Sequence, residues 1–299
     1  MEPAMPIGTG RRTCSPLSDE YKLALRLGNA CVVTQSISVD DHWRLAWGIA
    51  RSLWIYYRSP GRRRRMDRLY SRFVGPGDLV FDIGAHVGDR TAAFCRLGCR
   101  VVAVEPQPPL VGLLRKFYGH SPTVMIAPVA VAASPGTIEL LINSANPTLT
   151  TASPIFVAAA ARARGWRRER WGRRLRVPAV TLDQLIERHG EPNFLKLDVE
   201  GFEEEVLAGL SRPVRALSFE FTMIARSVAA RCLARCHELG PYRFNAAFGE
   251  TQRLVFADWV DVETMARWLE TLSDRANSGD IYARLSDGAT GGLLMIPEG

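Results

Sequence analysis

No run of 18 apolar residues occurs in the 299-residue chain, so a transmembrane helix is not expected. The first twelve residues carry charges with no apolar core behind them, so a secretory leader is not expected either. Cysteine is sparse. Six in a chain of this length make no disulfide framework, and free thiols in a reducing, cytoplasmic setting are the simpler reading. The pairs Cys95/Cys99 and Cys232/Cys236 are spaced more widely than typical zinc ligands and no histidine joins the two pairs, so burial as small hydrophobes is expected. No third cysteine completes a cluster-binding triplet, which argues against radical chemistry. The glycine pattern G-x-G-x-x-G is missing, so there is no pyrophosphate cradle for a dinucleotide. Lysine is nearly absent: only Lys22, Lys116 and Lys196 stand among 38 basic residues.

What remains is globular. Hydrophobic residues make up 47% and charged residues 23%, too apolar for a disordered chain and too polar for a polytopic membrane protein. The net charge is +7, and it is local: residues 161–176 hold eight arginines against one glutamate, as much as the whole chain's excess. A second run, 58–68, holds six arginines and Asp67. Two basic runs on a neutral body suggest an anionic substrate, a membrane surface or a partner, rather than general affinity for nucleic acid.

Residues 1–37 carry weak signals. Trp43, Trp47, Ala50, Trp54 and Tyr57 then recur at spacings of 4, 3, 4 and 3, one face of a helix ending near Ser59-Pro60-Gly61. That stripe is expected to pack against the rest of the protein or a second subunit; a membrane interface is the other reading. A short helix over 62–73 follows. From residue 79 the chain alternates strand and helix, with strands expected at 79–83, 100–105, 123–133, 193–198, 216–221, 242–248, 254–256 and 281–285. Residues 138–142 suggest an added strand. Thr181 and Gln184 form a capping box opening a helix. Repeated units of this kind imply an α/β fold: a doubly wound, mostly parallel sheet with helices on both faces. Residues 1–72 read as an N-terminal helical extension and 73–299 as the α/β domain. Residues 143–176 break the alternation as an insertion or lid carrying an Ala/Arg-rich helix.

The chemistry concentrates in Val80-Phe81-Asp82-Ile83-Gly84-Ala85-His86-Val87-Gly88. A buried strand runs into G-x-x-x-G and then a helix, whose N-terminal N–H groups are free. Asp82 can accept from a ligand ammonium, directly or through water. Glu105, seventeen residues after Gly88, ends the next strand, where a carboxylate suits the two hydroxyls of a ribose. A nucleoside with a charged amino-acid end fits better than a dinucleotide, which points to S-adenosylmethionine.

These residues resemble the FkbM family of methyltransferases. So do Val104-Glu105-Pro106, Val129-Ala130-Val131, the Thr181-Leu182-Asp183 helix start and, most specifically, Lys196-Leu197-Asp198-Val199-Glu200-Gly201-Phe202-Glu203. The similarity spans roughly residues 66–245. It implies a class I, Rossmann-like methyltransferase fold, S-adenosylmethionine as donor, and O-methylation of a hydroxyl on a sugar, glycolipid or other natural product. It implies cofactor contacts from Asp82, Gly84, Ala85, His86, Gly88, Glu105, Pro106, Ala130 and Asp198. His86 departs from the family, whose members usually carry Asn there.

Ligands in open parallel sheets bind beyond the carboxyl ends of strands. Glu105, Asp198 and Glu220 all fall at such ends. A carboxylate there can take a hydroxyl proton, with Asp198 the first choice for general base and Glu200 the second. Alternatively Asp198 binds cofactor and Glu200 caps a helix. Asp198, Glu200 and Glu220 could also hold Mg²⁺, although no metal is assigned. In the insertion, Thr148, Thr150 and Thr151 could bind an acceptor, Trp166 and Trp171 could stack on a sugar ring, and the arginines could meet an anion or form a solvated face. An RNA methyltransferase is a second reading, against which no RNP-type motif is evident. A catalytically inactive binding protein is a third. A homo-oligomer and a peripheral membrane contact stay open.

Overall fold

A computed structural model describes residues 39–286. Helices α1 (Val39–Tyr57) and α2 (Pro60–Tyr70) precede the sheet. Then come β1 (Leu79–Ile83), α3 (Asp89–Arg96), β2 (Arg100–Val104), α4 (Pro108–Tyr118) and β3 (Val124–Ala127). Next are β4 (Ala130–Val131), β5 (Gly136–Ile142), α5 (Pro154–Arg162) and β6 (Arg173–Val180). Helix α6 (Leu182–His189), β7 (Phe194–Leu197), α7 (Glu203–Ala208) and β8 (Ala216–Thr222) follow. Helix α8 (Arg226–Leu239), β9 (Tyr242–Phe248), α9 (Val262–Thr271) and β10 (Ser278–Leu285) complete the fold.

The main sheet runs β3-β2-β1-β7-β8-β10-β9. It is parallel except for β10, which is antiparallel to both β8 and β9. Strand β1 is buried along its whole length, as a central strand covered on two faces must be. Its side chains alternate between two cores. Leu79, Phe81 and Ile83 join Leu195, Leu197 and residues of α6, α7, α8 and α9. Val80 joins Met66, Leu69 and Tyr70 of α2, with Phe94 of α3 and Leu114 of α4. Helix α2 is thus one of the layers that close the sheet. The capping box of Thr181 and Gln184 is present at α6.

Four expectations are corrected. The strand expected over 123–133 is two strands in two sheets, broken at Pro128, which has no N–H to continue a ladder. The Arg-rich helix stops at Arg162, three residues before Gly165 in the left-handed region. Arg173–Val180 is a strand instead: Leu175, Val177 and Ala179 point inward, and it pairs with β5 and β4 in a small second sheet. Residues 254–256 form only a bridge from Leu254 to Ala247. The tryptophan stripe of α1 does not pack against the rest of this chain. Trp43, Trp47 and Trp54 are 67%, 74% and 62% exposed. The buried face holds Leu45, Gly48 and Ser52 instead, because Gly48 lets the helix close on Pro147; a Cβ there would lie 2.5 Å from the proline Cδ.

Candidate active site

The strand order reverses between β1 and β7, and a topological switch point of this kind opens a crevice at the strand ends. A cleft of about 870 Å³ lies there. Its walls are apolar: Ile83, Val104, Val129, Val131, Ile138 and Leu140. Gly84, His86, Glu105, Pro106, Ala130, Thr148, Thr151, Asp198 and Glu200 also line it. Most of the sequence-stated site therefore converges on one cavity. Asp82, Ala85 and Gly88 do not line it.

The reasons are local. Asp82 shares a sheet face with Val80, so it points down toward α3, where Thr91 Oγ1 donates to it at 2.6 Å. Burial raises its carboxyl to about 6. The backbone N–H groups of Gly84 and Ala85 both donate to the Val104 carbonyl. Gly84 has φ +81, and a Cβ would sit 1.9 Å from the Asp198 carbonyl oxygen, so glycine is required for β1 and β7 to close together. Gly88 has φ +80 and lets the turn approach Leu114 and Tyr118.

Glu105 is buried at the cleft wall. Its Oε2 accepts from His86 N–H and its Oε1 from Gln107 N–H, each at 2.9 Å. Burial raises the carboxyl to about 7, with those two bonds pulling the other way. His86 is in the left-handed region at φ 50, a conformation that Asn also tolerates. Burial lowers its imidazole to about 4, so the ring is neutral. Its Nε2 is buried with no hydrogen-bond partner.

A second cleft of about 950 Å³ adjoins the first. Asp198, Glu200, Tyr56, Arg90, Thr148 and Glu250 line both. Glu220, Thr222, Trp166 and Asp280 line only the second. Carboxylate oxygens of Asp198, Glu200 and Glu220 lie within 4.8 Å of one another. Burial, then repulsion among these acids, raises the Glu200 and Glu220 carboxyls well above the usual range. Asp198 is instead held by a cation: Lys196 Nζ donates to its Oδ2 and to Asp280 Oδ1, both at 3.1 Å. Lys196 is fully buried and Asp198 33% exposed. Burial disfavours the ammonium, but Asp198 and Asp280 overcome that and raise it well above its normal value.

The loop that presents Glu200 is clamped from below. Glu200 sits at φ 54, and its carbonyl accepts from Thr151 Oγ1 at 2.7 Å. Glu203 Oε1 accepts from the backbone N–H groups of Val199 and Gly201. On the far side, buried Arg62 and Arg90 grip Asp89 and Glu250 at 2.6–3.0 Å. That network ties α2 to the start of α3 and to the turn after β9.

The model of the methyltransferase FkbM domain matches residues 82–273. The chain belongs to the FkbM methyltransferase family. A hexuronic acid methyltransferase of Haloferax volcanii, AglP, is 29% identical over 195 residues, covering 64% of this chain and 69% of that one. Among solved structures, an O-methyltransferase from Bacillus cereus in complex with SAH has a TM-score of 0.40 at 13% identity, over 89% of this chain and 97% of its own. A TehB-like SAM-dependent methyltransferase from Corynebacterium glutamicum has a TM-score of 0.40 at 12% identity, over 74% and 88%.

This FkbM methyltransferase uses S-adenosylmethionine as its cofactor, and the first cleft fits that group. Its apolar walls suit a purine, Glu105 offers a carboxyl group at the wall, and the orphaned His86 Nε2 is a polar atom awaiting a partner. The Arg-rich run lies elsewhere: no arginine of 162–176 lines either cleft. Trp166 does, while Trp171 donates its indole N–H to the Leu149 carbonyl and packs on Phe156. Sequence reasoning missed Tyr56 of α1, Arg90 of α3, Thr222 at the end of β8, Glu250 after β9 and Asp280 of β10, which also line the clefts.

Proposed function

We propose that this methyltransferase O-methylates a hydroxyl of a sugar or glycan-like acceptor, with the acceptor in the second cleft. When bound in the first cleft, S-adenosylmethionine supplies an electrophilic methyl group on a good leaving group. Glu105 is assigned to the ribose hydroxyls, with Gly84, His86, Pro106 and Ala130 framing the rest. The chain's remaining task is to place the acceptor oxygen in line and remove its proton.

One observation carries the reading: Asp198 stands where the two clefts meet, with one oxygen fixed by a buried ammonium. Asp198 Oδ1, the oxygen that Lys196 does not hold, takes the proton of the acceptor hydroxyl. Burial and mutual repulsion push the Glu200 and Glu220 carboxyls toward their neutral forms, which can donate hydrogen bonds to neighbouring acceptor oxygens. Trp166 and Thr148 border the same space and suit a polyhydroxyl ring. AglP, named for hexuronic acid, is consistent with a sugar acceptor. The test is transfer of a labelled methyl group to a panel of neutral and acidic glycans and to RNA, with the product bond identified by NMR. An O-methyl sugar is the expected product. Methylated RNA, or transfer only to nitrogen or carbon, would overturn the reading.

A further inference from the structure

The outer face of α1 has a composition that the enzyme's own fold does not use. At about 100° per residue, Trp43, Trp47 and Trp54 fall within an arc of roughly 40°. Arg58, Arg51 and Arg44 fall in the adjoining arc of similar width. The three indoles are the most exposed large hydrophobic side chains of this helix, and Ile55 beside the arginines is 47% exposed. The stripe is about 16 Å long at 1.5 Å per residue. It is not a face in need of a fold partner, since α1 already packs through Leu45, Gly48 and Ser52. Tyr57 secures the helix end by donating to the Val87 carbonyl at 3.1 Å.

Charge selects the occupant. Between residues 43 and 66 there are seven arginines and no acidic residue. Arg44, Arg51, Arg58, Arg63 and Arg64 are exposed on α1 and the start of α2. A second copy of this face would set arginines against arginines, with only Asp40 and Asp41 of the first turn of α1 to offset them. An anionic lipid surface neutralises them and takes the indoles at headgroup depth, where tryptophan partitions well. No helix among the described residues is long and apolar enough to cross a membrane, so the contact is a lateral one. We infer that this face of α1 docks the enzyme on an anionic membrane surface. The same helix supplies Tyr56 to both clefts, so docking would hold the acceptor cleft at the lipid boundary.

The experiment uses the full chain with vesicles of phosphatidylcholine alone and of phosphatidylcholine with one quarter phosphatidylglycerol. Cosedimentation and tryptophan emission are read together, with bromine-labelled acyl chains as quenchers. Binding to the anionic vesicles is expected, with a blue shift, quenching, and loss at high salt. Binding to the neutral vesicles should be at least tenfold weaker. The variant Trp43→Ala/Trp47→Ala/Trp54→Ala should lose at least tenfold in partitioning, with melting temperature and cofactor affinity unchanged. Arg44→Gln/Arg51→Gln/Arg58→Gln should remove the preference for anionic lipid and leave weak neutral binding in place. No partitioning of the wild type, or equal partitioning of the tryptophan variant, overturns the inference. So does a dimer seen by light scattering that the tryptophan variant abolishes without any vesicle binding.

Discussion

Glu105→Gln is the substitution whose effect the structure lets one work through. The native carboxylate accepts two backbone N–H bonds, from His86 and Gln107, on separate oxygens. A glutamine keeps one carbonyl oxygen and turns an NH₂ against the other N–H. One buried donor is then unpaired, at about 1–3 kcal/mol. The charge that would strengthen bonds from ribose hydroxyls is also lost, roughly 1–2 kcal/mol more across the pair. The unpaired donor weakens free and bound protein alike, so the loss of charge sets the affinity change, and cofactor affinity should fall by about five- to thirtyfold. The pH dependence gives a second handle. Glu105 titrates near 7 in the folded protein against 4.5 for the unperturbed group. Ligand hydroxyls favour its ionised form, so binding releases a proton below that value. The dissociation constant of the demethylated product should therefore fall as pH rises toward 7, by at most tenfold per unit, and level off above it. Isothermal titration of both proteins between pH 5.5 and 8.5 reads both effects. Wild-type affinity in Glu105→Gln, or an identical pH profile in the two, would refute the ribose assignment.

Folding stability should run the other way with pH. Asp82, Glu105 and Glu203 are raised by burial to about 6, 7 and 7. The unfolded chain loses these protons first, so the cofactor-free protein should melt lower at pH 8 than at 5.5 in a calorimetric scan. A rising melting temperature over that range would contradict the assigned burial. Gly84→Ala forces a Cβ into the Asp198 carbonyl at a left-handed position. It should cost roughly 3 kcal/mol or more, a fall of about 5–10 °C in melting temperature. Replacing Arg167, Arg168, Arg173 and Arg174 by Ala should leave the acceptor KM within about twofold, since none lines the cofactor or acceptor cleft and ordinary surface changes are small; a tenfold rise would bring the segment into the acceptor site. Treatment with EDTA should leave the transfer rate unchanged, because Lys196 already supplies positive charge to Asp198; a loss restored by Mg²⁺ would make Asp198, Glu200 and Glu220 a metal site.

The parts of the site legible in the sequence are those that one stretch of chain assembles. The strand-turn-helix of residues 80–88, the carboxylate ending β2 and the block 196–203 each carry their own spacing signal. Their convergence follows from strand order alone. Arg90, Glu250 and Asp280 gave no such signal, because only packing between α2, α3 and the turn after β9, and the antiparallel insertion of β10, brings them to the clefts. Periodicity located α1 but not its buried side. Two stripes compete on that helix, and the one with Gly48 and Ser52 wins because small residues allow close approach to Pro147. Strand β6 was hidden by its arginines, although Leu175, Val177 and Ala179 already alternate with polar or surface positions.

In the proposed reaction Asp198 removes the acceptor proton between the two clefts. Its most direct test is single-turnover methyl transfer by Asp198→Asn, with cofactor occupancy measured in the same samples. Asparagine keeps the shape and loses the basic oxygen. The expected transfer rate is lower by about a hundredfold or more, with cofactor affinity and melting temperature close to wild type. A variant that transfers at the wild-type rate, or whose rate is restored once the cofactor is saturating, would contradict it and leave Asp198 a binding residue.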